Sequence, residues 1–350
     1  MSGALLLAAA LSLAGGDGQS APADDRLQTA RVERLVAAAH AFLVEHQNTD
    51  GSFSVMRNDA SHAAPVAVTS LAALSLMASG HLPDRGDHAE AVRRAVDWLV
   101  RHRDDAGFFT TDGDTVSRMH GHGYAVLALT QAYGMQAGDA AHREELRAAI
   151  QAGVDLIESC QGDTGGWWYD PRKFESDHEG SVTVCMIQAL RAARDVGFAA
   201  HKANIDRALE YLKNSQDEET GRFRYKIKDQ RMSWALTAAA LSTLNSAGDY
   251  SSKMLEHGFD ALQFYDPFAG TPDNSEFFID YGALYAAQAY WQHADTKPFT
   301  RWWPKFVQES EDRQRADGSF DGGEFGNVFG TAIVSLTLQV PLGYLPIFQR

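Results

Sequence analysis

Asp177, His178 and Glu179 stand together just before an apolar segment, and a carboxylic acid there becomes a proton donor if burial raises its pKa. Asp112-Gly113-Asp114-Thr115 is a weaker acidic echo in a loop, and Asp280 opens another apolar segment. His120-Gly121-His122 precedes a further one, so His and carboxylate side chains from neighbouring loops form a conceivable metal set. Tyr124, Trp167, Trp168, Trp234, Tyr281 and Phe329 lie in, or just after, the same kind of loop. Aromatic faces stabilise developing cations and line sites for apolar or sugar-like molecules. Each group also has a plain structural reading: acidic loops cap helices, histidines bond loop backbone, and aromatics plug a core.

The chain has 350 residues and a formal net charge of −15, which argues against nucleic acid or an anionic lipid surface as partner. Two cysteines, Cys160 and Cys185, are too few for a disulfide scaffold or a cysteine-only metal site, though an exported protein could join them. The run Ala4 to Ala14, followed by small and polar residues and an Ala21-Pro22-Ala23 cleavage-like site, reads as a signal peptide over residues 1–23. It is too short to span a bilayer, and no later stretch is expected to. The expectation is an exported protein, periplasmic or secreted, with no transmembrane segment.

The elements that must position these groups are marked by a recurring turn. Gln47-NTDGS-Phe53, His102-RDDAGF-Phe109, Gln161-GDTGGW-Trp168, Gln216-DEETGR-Phe223 and Gln314-RADGS-Phe320 share it. Their glycines, Gly51, Gly107, Gly165, Gly221 and Gly318, are spaced by 56, 58, 56 and 97 residues, so a degenerate copy is expected near Pro267-Phe268. Before each turn lies an amphipathic helical pattern, such as Val92, Val96, Trp98, Leu99. After it comes a segment of small and apolar residues such as VAVTSLAALSLMASG, which must be buried all round. Gly80, Gly134, Gly197 and Gly248 are placed to stop four of these segments. Six hairpins with one amphipathic and one fully buried helix predict an all-α fold: a closed α/α toroid, residues 24–350, as a single domain. The turn residues themselves read as packing, because they recur in every unit whereas a site needs unique ones.

The Q-x-x-D-G-S-F turn followed by a small-residue helix resembles the repeat of squalene and oxidosqualene cyclases and protein prenyltransferase β subunits, over roughly residues 30–345. The closing GTAIVSLTLQVPLGYLPIFQR resembles the end of bacterial members. The resemblance implies a toroid with a central cavity. Its activities are tested residue by residue. Cyclases of this group protonate an alkene with a D-x-D-D-T-A motif; here Asp177-His178-Glu179-Gly180-Ser181-Val182 keeps the first and third acids and loses the rest. Prenyltransferases bind zinc through Asp-x-Cys, but Thr183 stands where Cys185 needs its aspartate, so that site is not carried over. The thioester Gly-Cys-Gly-Glu-Gln of complement-type toroids is absent. The primary expectation is therefore a toroid that binds an apolar or sugar-like small molecule, or a protein partner, in its cavity, with no cofactor and no metal. The expected ligand-binding residues are His120, His122, Tyr124, Trp167, Trp168, His178, Trp234, Tyr281 and Phe329. The first alternative is a terpenoid cyclase using Asp177, Glu179 or Asp280 as acid, with Trp168, Trp234 and Tyr281 facing the cation. The second is a polysaccharide-active lyase or hydrolase using paired carboxylates.

Overall fold

The computed structural model describes residues 23–53, 63–135, 140–176, 178–248, 252–269 and 278–349. The expected signal peptide lies outside the described residues apart from Ala23, where the first helix begins. Among the described residues there are twelve α-helices, alternating between two rings. The outer ring is α1 (Ala23–Glu45), α3 (Ala89–Arg101), α5 (Ala140–Ser159), α7 (Lys202–Ser215), α9 (Lys253–Phe264) and α11 (Lys297–Arg313). The inner ring is α2 (Pro65–Ala78), α4 (Arg118–Met135), α6 (Gly180–Asp195), α8 (Trp234–Ser246), α10 (Ile279–Gln292) and α12 (Gly326–Leu338). Each inner helix packs on the next and α12 packs on α2, so the ring is closed. This is the expected α/α toroid.

The two helix types follow from their sequences. In α3 the buried residues Ala91, Val92, Ala95, Val96, Trp98 and Leu99 form one stripe, while all of α2 is buried. The segment Gly323–Leu342 around α12 is long and apolar enough to cross a membrane, yet 72% of its most apolar window is buried inside the protein. It is a core helix of the ring. At the far end of the ring the C-terminal Leu345 and Phe348 are buried, against Leu71, Leu127 and Leu336 of the inner helices.

The recurring turn is a clasp between neighbouring hairpins. The side-chain amide of Gln47 donates to Gly51 O at 3.0 Å within its own turn and to Ala91 O of the next outer helix at 2.9 Å. Gln161 does the same to Gly165 and Asn204, and Gln216 to Gly221 and Met254. Gln314 reaches from the last turn to Leu35 of α1, which ties the end of the chain to its beginning. The turn glycine is required twice over. At Gly318 φ is +86°, and a Cβ there would lie 2.3 Å from Ala38 O; Gly51 meets Arg94 O in the same way. Then the aromatic's N–H donates to a threonine hydroxyl in the following inner helix, as Phe53 to Thr69, Phe223 to Thr237 and Phe320 to Thr331.

Two repeats depart from this scheme. The degenerate fifth turn is a short 3-10 segment, Pro267–Ala269, where the Phe268 ring packs edge-on against Trp234, Trp302 and Phe306 instead of a Gln–Gly clasp. In the second repeat His122 occupies the threonine's place. Its Nδ1 accepts from Phe109 N at 3.1 Å and its Nε2 donates to Gly153 O at 3.0 Å. His122 is therefore a structural residue, and the expectation that it binds ligand is corrected. Gly134 also departs from expectation. It lies inside α4, where a side chain would strike Val196, whereas Gly80, Gly197 and Gly248 have the left-handed backbone of helix stops. Cys160 and Cys185 are both free and buried.

Gly318→Ala combines left-handed strain with a backbone clash and is expected to cost about 2 kcal/mol or more. Gly248→Ala, with φ +94° and open space around it, isolates the strain and should cost less. Gln314→Ala, which removes both clasp bonds and leaves Leu35 O with only its helix partner, should cost about 1–3 kcal/mol. Urea unfolding checks all three. Burial holds the His122 pKa down at about 4. The unfolded ring, at its ordinary value of about 6.5, binds a proton that the folded one refuses, so stability falls as pH drops from about 6.5 toward 4. The loss is on the order of 3 kcal/mol for such a shift. His122→Thr restores the repeat's own residue and is expected to flatten this part of the stability–pH curve.

Candidate functional site

The N-terminal ends of all six inner helices converge on one cavity of about 140 Å³. Ala67 comes from α2, His120 and Tyr124 from α4, Ser181 from α6, Leu236 from α8, Tyr281 from α10 and Phe329 from α12. Tyr169, Tyr225, Phe278 and Phe325 from the preceding loops complete an aromatic wall. Tyr169, Tyr225, Ser233 and Phe278 also line a wider hollow of about 520 Å³ with Trp168, Glu179, Lys226 and Arg231. That hollow is the mouth. Among the described residues, Ser117 and Phe278 alone outside glycine have positive φ, +46° and +72°, and both line the cavity. Each directly precedes an inner helix, so the strain is stored where the chain turns into the wall.

Glu179 is the N-cap of α6 and stands at the neck between cavity and mouth. Its Oε2 accepts from Val182 N at 2.9 Å and from Ser181 Oγ at 2.5 Å. Its Oε1 is buried and has no hydrogen-bond partner. Burial raises its pKa, against the hydrogen bonds from Ser181 and Val182 that favour the carboxylate. His120 Nε2 lies 3.1 Å from the same Ser181 Oγ, and its Nδ1 is buried without a partner. Since Ser181 gives its proton to Glu179, His120 donates from Nε2 and keeps a lone pair on Nδ1. Burial lowers the His120 pKa to about 4, so at neutral pH the ring is an imidazole. The result is a buried acid and a buried base joined through one hydroxyl.

Tyr124 and Tyr281 flank Tyr285, whose hydroxyl donates to Gln188 Oε1 at 3.1 Å, so the three buried phenols form one polar cluster. Two buried side-chain atoms beside the cavity and its mouth lack a partner: His120 Nδ1 and Glu179 Oε1. Buried polar atoms of this kind mark where a ligand completes the hydrogen bonding.

Of the residues singled out by sequence, His120, Tyr124, Tyr281 and Phe329 line the cavity, and Trp168 and Glu179 line the mouth. Lys226 Nζ sits 4.5 Å above the Trp168 ring. Asp177 lies outside the described residues. The others turn away. Both oxygens of Asp280 accept from the Arg313 guanidinium, at 2.9 and 3.0 Å, so this carboxylate is a tie between α10 and α11. Trp167 donates to Ile157 O at 2.7 Å inside the core, and Trp234 to Leu262 O at 3.1 Å. His178 bonds Thr164 through Nδ1 and Phe174 O through Nε2, and its ring fills the space left by Gly162 and Gly166. It belongs to the turn. With His122 and His178 committed to backbone and hydroxyl partners, no metal set forms around His120 and His122 among the described residues. Asp114 accepts from Val66 N and from the N–H and hydroxyl of Thr111, so its buried carboxyl closes a loop over α2.

Sequence reasoning missed Tyr225, Ser181 and Phe325, and named Tyr169 among the loop aromatics without placing it in the ligand-binding set. A signal existed for two of them. Tyr169 stands two residues after Trp167 and Tyr225 two after Phe223, the aromatics that bond the following inner helix, so equivalent positions of successive turns supply the mouth.

No curated protein matches the chain. Among solved structures, a variant of the type II terpene cyclase MstE from Scytonema, in complex with geranylgeranyl dihydroxybenzoate as substrate, is 18% identical. It covers 92% of this chain and 99% of that one, with a TM-score of 0.60. Cellobiose 2-epimerase from Bacillus thermoamylovorans is 10% identical over 89% of this chain and 99% of that one, with a TM-score of 0.63. A D-mannose isomerase is 14% identical, covering 92% and 99%, with a TM-score of 0.61. At these identities the shared property is the fold. The prenyltransferase alpha-alpha toroid domain matches residues 23–115 and 106–271, and with the closed double ring in view the chain belongs to that family.

Proposed function

We propose that this toroid takes an elongated apolar ligand of the polyprenyl type into its aromatic cavity and that Glu179 protonates it. The observation that carries this reading is the free, buried Oε1 of Glu179 at the neck of a space walled by aromatic rings. An acid raised by burial holds its proton, and aromatic faces stabilise the cation that forms when an alkene takes it. The proton moves from Glu179 Oε1 to an alkene carbon, and the electron pair of the π bond becomes the new C–H bond. His120 Nδ1 is the buried lone pair able to remove a proton at the end. The net change is an isomerisation or cyclisation with no redox partner, after which His120 releases its proton to solvent and solvent returns one to Glu179. Lys226 and Arg231 at the mouth suit a polar or anionic head group on the apolar chain. The type II terpene cyclase among the structural neighbours, bound to a geranylgeranyl substrate, supports the ligand class. Export, argued from the Ala4 to Ala14 run, remains part of the proposal.

The test incubates purified protein in D₂O with linear polyprenyl compounds, with and without an aromatic acid head group, and reads products by mass spectrometry. Binding is followed by tryptophan fluorescence. The expected result is a product carrying one deuteron from solvent. Glu179→Gln should retain binding but lose about 10²–10⁴-fold in turnover. Turnover unchanged in Glu179→Gln defeats the assignment of the acid. Fluorescence that responds to cellobiose or mannose and to no polyprenyl compound defeats the ligand class.

A further inference from the structure

The polar residues of the toroid's other end form a second constellation, independent of the cavity. His40 lies on α1, His81 just beyond the end of α2, and His88 at the N-cap of α3. One nitrogen from each ring lies within 4.8 Å of the other two. The His81 and His88 ring centroids are 4.6 Å apart, with His40 at 6.0 and 6.1 Å from them. From the geometry we infer that His40, His81 and His88 form a site for one divalent transition-metal ion that prefers imidazole, of the Zn²⁺ or Co²⁺ class.

Three observations carry this. The first is convergence from three separate elements. Tetrahedral coordination at metal–nitrogen distances of about 2.0–2.1 Å places ligand nitrogens about 3.4 Å apart, so the rings need to close by little more than 1 Å. The second is the support behind His40. Its Nε2 is bound to Ser75 Oγ at 3.1 Å, and Ser75 in turn meets Ser335 Oγ at 2.6 Å. Gln339 packs into the same group through Ser75 O at 3.0 Å. Nε2 being committed, Nδ1 is the nitrogen His40 has to offer, and the hydroxyl network fixes the ring as an outer shell does for a metal ligand. The third is the loop. Gly86 has φ +95°, and a Cβ there would lie 2.7 Å from His81 Nδ1, so the glycine leaves the space in which the His81 ring stands beside His88.

The position gives the ion a structural task. Ser335 and Gln339 lie on and just after α12, Ser75 lies on α2 and His40 on α1, so the network spans the seam where the last repeat meets the first. Ser75, which holds His40, stands about 12 Å along α2 from the cavity-lining Ala67, and the two sites share no residue, so failure of this site and that of the proposed chemistry are read separately. Three protein ligands also leave a coordination position for solvent.

The experiment uses tag-free protein stripped with chelator and dialysed. Co²⁺ is added and its visible absorption followed, then Zn²⁺ is used to displace it. The expected result is one ion per chain with a tetrahedral-type spectrum, and a rise in Tm with metal concentration. The double variant His81→Asn/His88→Asn alters two partly exposed rings and should fold with an unchanged circular dichroism spectrum. It is expected to bind at least a hundredfold more weakly and to lose the metal-dependent rise in Tm. Ser75→Ala, which removes the support alone, should weaken binding about 10–100-fold. No Co²⁺ or Zn²⁺ binding at micromolar metal, or binding equal in the parent and the double variant, overturns the site.

Discussion

The closure of the ring rests on the contact between a turn glycine and the backbone of the next outer helix. Gly51, Gly165, Gly221 and Gly318 each press against a carbonyl one hairpin further on, and the neighbouring Gln bridges the same gap with two hydrogen bonds. Without a side chain at that point, backbone contact sets how closely the helices approach at these seams, while at the fifth the Phe268 ring fills the gap instead. A repeat that rotates by a constant step closes after a fixed number of copies. The inner helices then need only small residues, because their spacing has already been fixed from outside. In this way a surface turn determines the width of the central space.

That constraint also explains how the site arises. Because the repeat sets the inner helices side by side in one direction, their first turns meet at one end, and the residues on their inward faces share one space. Unique chemistry is made by departing from the repeat. Ser181 follows the N-cap Glu179 and bonds both it and His120, while Tyr281 and Phe329 bring large rings to helices otherwise rich in alanine and glycine. Ser117 and Phe278 hold strained backbone at two of these entrances, which the surrounding wall has to maintain.

The architecture was legible because it is written six times, so that the loss of Gln and Gly at Pro267-Phe268 left the period readable. The site was less so. Glu179 could be found, since with Asp177 it forms an acidic cluster just before a helix start, but Asp280 looked equally good, and only its pairing with Arg313 across to α11 separates them. His120 and His122 are two residues apart in one sequence motif, yet one faces the cavity and the other replaces a clasp threonine. The register that divides them is a property of the helix they open, which residue type does not reveal. Likewise His40, His81 and His88 are distant enough in sequence that no spacing rule joins them; they meet only once α1, α2 and α3 are packed.

Glu179 sits under opposing forces. Burial at the neck favours the protonated form, whereas the α6 N-terminus favours the carboxylate through Val182 N–H, Ser181 and the helix dipole. In the proposed reaction burial would favour the protonated form before transfer, and the same hydrogen bonds would solvate the conjugate base afterwards. The same dipoles create a difficulty. Six helix N-termini point at the cavity, and their partial positive charges disfavour a cation formed near the neck. If Glu179 protonates an alkene as proposed, its carboxylate would offset part of this and the faces of Tyr124, Tyr169, Tyr225, Tyr281 and Phe329 would attract the cation. Charge generated beside Glu179 would then be drawn toward the aromatic wall and away from the helix ends, so the field of the ring would give the proposed reaction a direction, from the neck inward.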